Sequence, residues 1–157
     1  DVLGDYGAFR DLQRHRLLTI EWQPLSTRHG YDVPEPIIEA GVGERYDEAM
    51  HRSAELHDAL VDPFPEQAPY AVSLGYRIRF TMQMNAREAM HLLELRTAPA
   101  GHPSYRQIGQ EMHRLIAEQA GHRAVAAAMS YVDHHVYELE RLAAERAADA
   151  RRAAGPA

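Results

Sequence analysis

Hydrophobic and polar positions along this chain fall into short segments of differing period. Residues 6–18 read as a helix, with Phe9, Leu12 and Leu17 apolar and no Pro or Gly after Gly7. Residues 19–43 read as loop, because Pro24, Gly30, Pro34, Pro36, Gly41 and Gly43 interrupt regular structure. Loops of that length in compact domains are often functional. Residues 44–61 predict a helix with a modest apolar face of Met50, Leu56 and Leu60. Pro63-Phe64-Pro65 stops it, since proline lacks the amide donor and clashes with the preceding turn.

The period then changes. Tyr76, Ile78, Phe80, Met82 and Met84 alternate with Arg77, Arg79, Thr81 and Gln83, which predicts a strand with one buried face. The stretch from Ala68 to Gly75 before it suits a helix. From Asn85 onward Ala86, Met90 and Leu93 fall at helical spacing, with Ala89 and Leu92 beside them, so 86–96 reads as a buried helix. Thr97 to Pro103 is loop. Ile108, Met112, Leu115 and Ile116 line one face of a helix over 104–119, and Gly121 marks its end. Val125, Met129, Val132, Val136, Leu139 and Ala143 form a heptad-like seam on a last helix, 123–147, suited to packing on another helix or subunit. The expected organisation is a single domain over 1–147 and a frayed tail over 148–157. The fold class expected from these elements is α+β, mostly helical, with a short β segment and a long C-terminal helix.

Composition narrows the chemistry. The 157 residues contain no cysteine and no lysine; all 17 basic residues are arginine. Disulfides, thiolate metal sites, cysteine nucleophiles, Schiff-base lysines and P-loop lysines are therefore excluded within this segment. No apolar run reaches membrane-spanning length, so no membrane partner is expected. The first residues show neither the basic region nor the apolar core of a signal peptide, and a cytoplasmic protein is expected. Asp1 stands where Met would, and the opening residues through Ala8-Phe9-Arg10 read as the middle of an element, so a piece of something longer is expected.

Charge is uneven. The chain is net −6, yet residues 10–28 and 77–96 are each net +2. An acidic body repels a nucleic-acid backbone, which argues against nucleic acid as a partner. Arginines concentrated in such a body suit a small anion, because guanidinium forks bind phosphate or carboxylate oxygens in pairs. The first concentration is Arg14-His15-Arg16 with Ser26-Thr27-Arg28 beyond a proline-containing loop, where folding back would let Arg14, Arg16 and Arg28 converge. The second is Asn85-Ala86-Arg87, then His91 and Arg96, at a strand-to-helix junction. Asn85 suits the N-cap, and Arg87 and His91 share a face at i, i+4. Either group could instead be a solvated face with Arg–Glu pairs. Among ten histidines, His134 and His135 with Glu138, and His51 with Glu55, offer metal-like spacing but no paired-histidine motif, so no metal is expected. Trp22 and Met82-Gln83-Met84 suit core or interface better than a cofactor stack.

Taken together, Arg14-His15-Arg16, Ser26-Thr27-Arg28 and the run Asn85-Ala86-Arg87 through Leu95-Arg96 resemble the flavin-dependent thymidylate synthases, the ThyX family, in order and separation over roughly residues 7–120. The resemblance implies a ThyX-like fold without the family's N-terminal α/β portion, as the C-terminal half of a longer or tandem protein. It implies methylation of dUMP at C5 for dTMP biosynthesis, with methylene-tetrahydrofolate and NADPH as co-substrates and FAD as cofactor. By the same resemblance Arg14, His15, Arg16, Asn85, Arg87 and His91 would bind FAD, and Ser26 and Arg28 would hold the nucleotide phosphate. Arg96 would lie on the pyrimidine and act catalytically on the charge that develops there. Partners would be dUMP or a related pyrimidine nucleotide and further copies of the chain, the family being homotetrameric.

The sequence also departs from the family. Nine residues rather than seven separate Arg16 from Ser26, and the Asn-Glu that usually precedes that serine is missing. Asp11 falls where the family has glutamine. Ala71-Val72-Ser73-Leu74-Gly75 lacks the family's nucleotide-binding arginine, for which Arg77 or Arg79 is a candidate substitute. The Gln-x-Glu-x-Arg-like stretch after the last motif is reduced to Ser104-Tyr105-Arg106. These losses suit an alternative: a catalytically degenerate module that binds flavin or nucleotide, or serves as an assembly partner. A third possibility is an arginine-rich helical interaction protein without a ligand.

Overall fold

The computed structural model describes residues 1–135 and residue 146. Chain segments Asp1–Arg10 and Ile20–Met82 form one compact unit, and Asp11–Thr19 with the described residues from Gln83 onward forms another. The architecture is α+β and mostly helical. In chain order it comprises β1 (Val2–Asp5), α1 (Tyr6–Leu12), β2 (Leu18–Trp22), α2 (Glu35–Glu39), α3 (Gly43–Val61), a 3₁₀ turn (Ala68–Ala71), β3 (Arg77–Met84), α4 (Ala86–Arg96), α5 (Pro103–Glu118) and α6 (Arg123–Ala128).

The first unit is built on the alternation in β3. Tyr76, Ile78 and Phe80 are buried, as their spacing requires of a half-buried strand. β3 is the middle strand of three, in the order β1-β3-β2. β1 runs antiparallel to it, with Gly4 opposite Ile78 and Val2 opposite Phe80. Phe9 packs edge-on against Phe80, the ring centroids 4.9 Å apart. Met50 of α3, Val72 and Tyr76 form a second cluster, flanked by Leu25, Tyr31, Tyr46 and Ala54. The buried Tyr76 hydroxyl donates to the Met50 carbonyl at 2.7 Å, which satisfies the polar end of a core ring.

In the second unit, α4 buries Ala89, Leu92 and Leu93, and Leu12 is fully buried. The α4–α5 connection turns on Thr97. Its hydroxyl donates to the Leu93 carbonyl at 2.7 Å and accepts from the Asp133 amide at 3.0 Å. Its carbonyl accepts from the Arg106 Nε at 2.8 Å. Gly109 of α5 passes close by: a Cβ there would lie 3.0 Å from the Thr97 methyl. Pro103 opens α5 at the position where a missing amide costs nothing. Past its end, Gly121 turns the chain at φ +71°, in the left-handed region.

The strand at 76–84 and the helices 44–61, 86–96 and 104–119 match their expected spans to within a residue or so. Others differ. The helix expected over 6–18 ends at Leu12, and Leu18–Trp22 is a strand where loop was expected; Leu18, Ile20 and Trp22 alternate at period two, which the neighbouring loop signals obscured. β1 and the five-residue α2 were also unforeseen. Leu56, expected on the buried face of α3, is half exposed, and His57 is buried instead.

The last helix is the largest correction. α6 ends at Ala128, and residues 129–135 are not helical where a continuous helix over 123–147 was expected. Beyond it, the Asp133 and His135 carbonyls accept from the Gln110 side chain, and the His135 carbonyl also accepts from Arg106. Side chains of α5 thus take carbonyls that a continuing helix would have used itself. Met129 is buried as a seam position should be, but it lies just past the end of α6; Val136, Leu139, Ala143 and the expected tail lie outside the described residues. Among the described residues no helix is long and apolar enough to cross a membrane.

Candidate functional site

The site begins with a well-made helix start. Asn85 adopts an extended conformation, and its side-chain oxygen accepts from the Glu88 amide at 2.9 Å. This cap satisfies one of the helix's unpaired donors and sets the first turn of α4. Glu88 is carried inward on that turn, its side chain only 3% exposed. Arg96 sits in the last turn of the same helix, where its charge complements the helix dipole. His15, from the short segment after α1, is buried against both.

These groups form a chain of hydrogen bonds. His15 Nδ1 lies 2.8 Å from Glu88 Oε1. Arg96 Nε donates to His15 Nε2 at 3.1 Å. The His91 ring stands edge-on to His15, with centroids 5.2 Å apart, and its Nδ1 is 3.8 Å from Glu88 Oε2. The Arg96 guanidinium also lies 5.5 Å from the centre of the Tyr105 ring, within reach of a cation–π contact. Burial pushes the His15 imidazole below its ordinary pKa, and the Arg96 charge adds to this, while the Glu88 carboxylate pulls upward.

Residues 15 and 96 belong to the two separate sequence motifs, and the fold brings them into direct contact. The arginines flanking His15 are placed otherwise. Arg14 is exposed and pairs with Asp11 at 3.2 Å, and Arg16 is exposed. Asp11, expected to fall where the resemblance implies a glutamine, thus serves Arg14. Arg87 is exposed too, on an open groove of about 460 Å³ whose other walls are Ala86, Met90, Ala124, Val125 and Ala128. Ser26 and Arg28 lie in the loop after β2, in the first unit; Ser26 is half-buried and Arg28 exposed.

Arg77 and Arg79, expected as candidate substitutes for a nucleotide-binding arginine, are both engaged. Arg77 binds the Asp32 carboxylate through two nitrogens and donates to the His29 carbonyl at 3.1 Å. Arg79 pairs with Asp1 at 2.9 Å. Arg106 is buried and holds the α4–α5 connection through the Thr97 carbonyl. Trp22 is 57% exposed and packs against Phe9, a surface role rather than a core one.

Sequence reasoning missed Glu88. Its signal was available: an acid at the third helical position beside an Asn cap normally faces solvent, yet 88 falls on the apolar side with Ala89, Leu92 and Leu93. His15, Glu88 and His91 also present three ligand atoms within 4.8 Å of one another. The hydrogen bonding favours a proton over a cation there. A metal-bound histidine donates its other ring N–H to an acceptor, whereas here that nitrogen faces an arginine, which has no acceptor to offer. The spacings considered for metal resolve differently: His134 pairs with His113 at 2.9 Å, His135 with Asp133, and His51 with the Asp47 carbonyl, while Glu138 lies outside the described residues.

Comparison with known proteins agrees with the motifs. The chain matches the thymidylate synthase complementing protein family over residues 4–121. It belongs to that family. It is also similar to UPF0159 proteins of Chlamydia pneumoniae, at 44% identity over 118 residues, and of Chlamydia muridarum, at 39% over 145. These alignments cover 75% and 92% of this chain but 22% and 27% of the relatives. A UPF0159 protein of Thermoplasma acidophilum is 38% identical over 148 residues, covering 92% of this chain and 29% of its own. The chain thus spans about a quarter of the length of the curated relatives it matches. The span shared with the thymidylate synthase complementing family takes in His15, Glu88 and Arg96 alike.

Proposed function

We propose that this chain contributes the nucleotide- and flavin-binding portion of a flavin-dependent thymidylate synthase, which methylates dUMP at C5 in dTMP biosynthesis. Methylene-tetrahydrofolate supplies the carbon and NADPH the reducing equivalents. The observation that carries this reading is the contact between His15 and Arg96, which ties the two family motifs together across 81 positions. Arg96 is held at Nε and against Tyr105, and its terminal nitrogens make no hydrogen bond among the described residues. A permanently charged, planar donor pair presented in this way stabilises negative charge as C5 of the pyrimidine becomes nucleophilic.

The donor set suits FAD. Arg16 and Arg87 are exposed cations in an acidic chain, matched to a pyrophosphate, and the groove beside Arg87 has apolar walls suited to a flat ring system. Arg14, His15, Arg16, Asn85, Arg87 and His91 would hold the flavin, which when reduced supplies the hydride. Ser26 and Arg28 would bind the nucleotide phosphate. Family assembly into homo-oligomers and a cytoplasmic setting complete the reading.

A second reading has its own support. Arg77 and Arg79, the candidate replacements for the missing arginine, are both committed to acids. That favours a module which binds nucleotide or flavin without turnover, or assembles with an active partner. One experiment separates the two: tritium release from C5-labelled dUMP by full-length protein, with methylene-tetrahydrofolate, NADPH and FAD. Release supports the enzyme. Flavin or dUMP binding without release supports the degenerate module and rejects the enzyme.

A further inference from the structure

We propose that Glu88 is a positioning residue that fixes the tautomer of His15 and through it aims Arg96. The hydrogen-bond chemistry leaves little choice. Arginine donates from all its nitrogens and accepts at none, so His15 Nε2 must offer a lone pair to Arg96 Nε. The proton of the neutral ring then sits on Nδ1, where Glu88 Oε1 accepts it at 2.8 Å. Without that acceptor the ring could equally carry its proton on Nε2, donor facing donor, and the hold on Arg96 would be lost.

Glu88 suits this task in two respects. Its side chain is almost fully buried, and among the described residues its carboxylate meets only His15 and, more loosely, His91; neither Arg nor Lys pairs with it. A buried carboxylate without a cationic partner is costly, so its retention there needs a reason beyond packing. Its first turn is also pinned by the Asn85 cap.

The arrangement differs from a direct Arg–Glu ion pair in one consequential way. A carboxylate placed directly on Arg96 would occupy a terminal nitrogen and cancel the charge. An interposed neutral imidazole transmits the orientation while engaging only Nε. The terminal nitrogens keep their donors and the guanidinium keeps its charge, which is what an anion-stabilising arginine requires.

The catalytic part of this inference rests on the thymidylate synthase reading; the tautomer part does not. The test therefore has two readouts on the full-length protein. Histidine labelled with nitrogen-15 reports the tautomer by long-range proton–nitrogen correlation, with His15 assigned through its loss in His15→Gln. The wild type is expected to show a protonated Nδ1 and a bare Nε2. In Glu88→Met the proton moves to Nε2 or divides between the two nitrogens. Turnover of dUMP then falls on the order of 10–100-fold in kcat, as is typical when an orienting partner is removed, with little change in KM.

Glu88→Gln keeps an acceptor but loses the charge that favours the protonated ring. It is expected to retain the wild-type tautomer and most of kcat, with the acid limb of the pH profile moved to lower pH. The groups facing His15 here are Glu88, His91 and Arg96, all from α4; Asp11 and Arg14 on its own segment pair with each other. An unchanged tautomer in Glu88→Met overturns the proposal. If that variant does not fold, an unmoved acid limb in Glu88→Gln does so. A shifted tautomer in a protein that never turns over dUMP upholds the relay and rejects the enzymatic reading instead.

Discussion

Arg77 and Arg96 make a useful pair, one in each unit of the chain. Arg77 is saturated. The Asp32 carboxylate takes Nε and one terminal nitrogen, and the carbonyls of His29 and Tyr31 accept from the terminal nitrogens. The Asp32 hydrogen bonds hold the guanidinium even more firmly in its charged form than usual. Arg96 is held by one neutral imidazole and an aromatic face. Both are arginines in short basic stretches, and sequence alone offered both for nucleotide binding. What separates them is the acceptor: a carboxylate and carbonyls lock an arginine into the structure, whereas an imidazole engages only its Nε and orients it.

The contrast stands or falls first at Arg96. Arg96→Met is expected to lower kcat for dUMP methylation by about 10²–10³-fold, the typical loss when one preorganised donor to a developing anion is removed. Its thermal stability should fall only modestly, through the loss of the one donor to the buried His15 Nε2. Arg96→Lys should recover little, because a lysine cannot reproduce a planar donor pair anchored at Nε. Tritium release and a melting curve on the same preparations check both statements. Normal turnover in Arg96→Met would make the two arginines equivalent and leave the contrast without functional meaning.

Arg77→Met tests the other side. It leaves the His29 and Tyr31 carbonyls without their donor and should destabilise folding by about 1–3 kcal/mol. Turnover per folded molecule should be preserved. Urea unfolding followed by activity measured on the folded fraction distinguishes this from a substrate-binding role, in which KM for dUMP would rise while stability held.

Much of this contrast could be read in the sequence, and part could not. Period two over Tyr76–Met84 and period 3.6 over Ala86–Arg96 located β3 and α4, because burial dictates side-chain spacing within an element. Family resemblance offered His15 for the flavin and Arg96 for the pyrimidine, without pairing them with each other. The contacts themselves were not legible, since Asp32 lies 45 positions from Arg77 and Glu88 lies 73 from His15. No local pattern encodes such distances. The long last helix failed for a related reason: its seam was periodic, but Arg106 and Gln110, distant in sequence, claim the carbonyls beyond Ala128. Tertiary hydrogen bonds overrode a periodic signal.

A smaller effect is expected at Asn85, where the question is how firmly the relay is mounted. Asn85→Ala removes the acceptor for the Glu88 amide and should cost about 1 kcal/mol, as loss of a helix cap usually does. Any loss of turnover should be modest beside that of Arg96→Met, because the cap acts on the turn rather than on the guanidinium. A chemical-denaturation series gives the first number and tritium release the second.

The finest distinction is in pH. An imidazole that hands a lone pair to an arginine must be neutral, so the relay depends on His15 staying unprotonated. The His15 pKa is lowered from 6.5, chiefly by burial. Below about pH 6.5 the unfolded chain therefore takes up a proton at this position that the folded chain refuses. His15 contributes stability above that pH, and the contribution is lost as pH falls toward the folded value. The stability gap between wild type and His15→Gln should accordingly narrow on acidification. Urea unfolding of both proteins, compared at neutral pH and at successive steps below pH 6.5, measures that gap. A gap that stayed constant or widened on acidification would mean that the folded ring accepts the proton as readily as the unfolded one, and Arg96 would then lack the neutral acceptor that distinguishes it from Arg77.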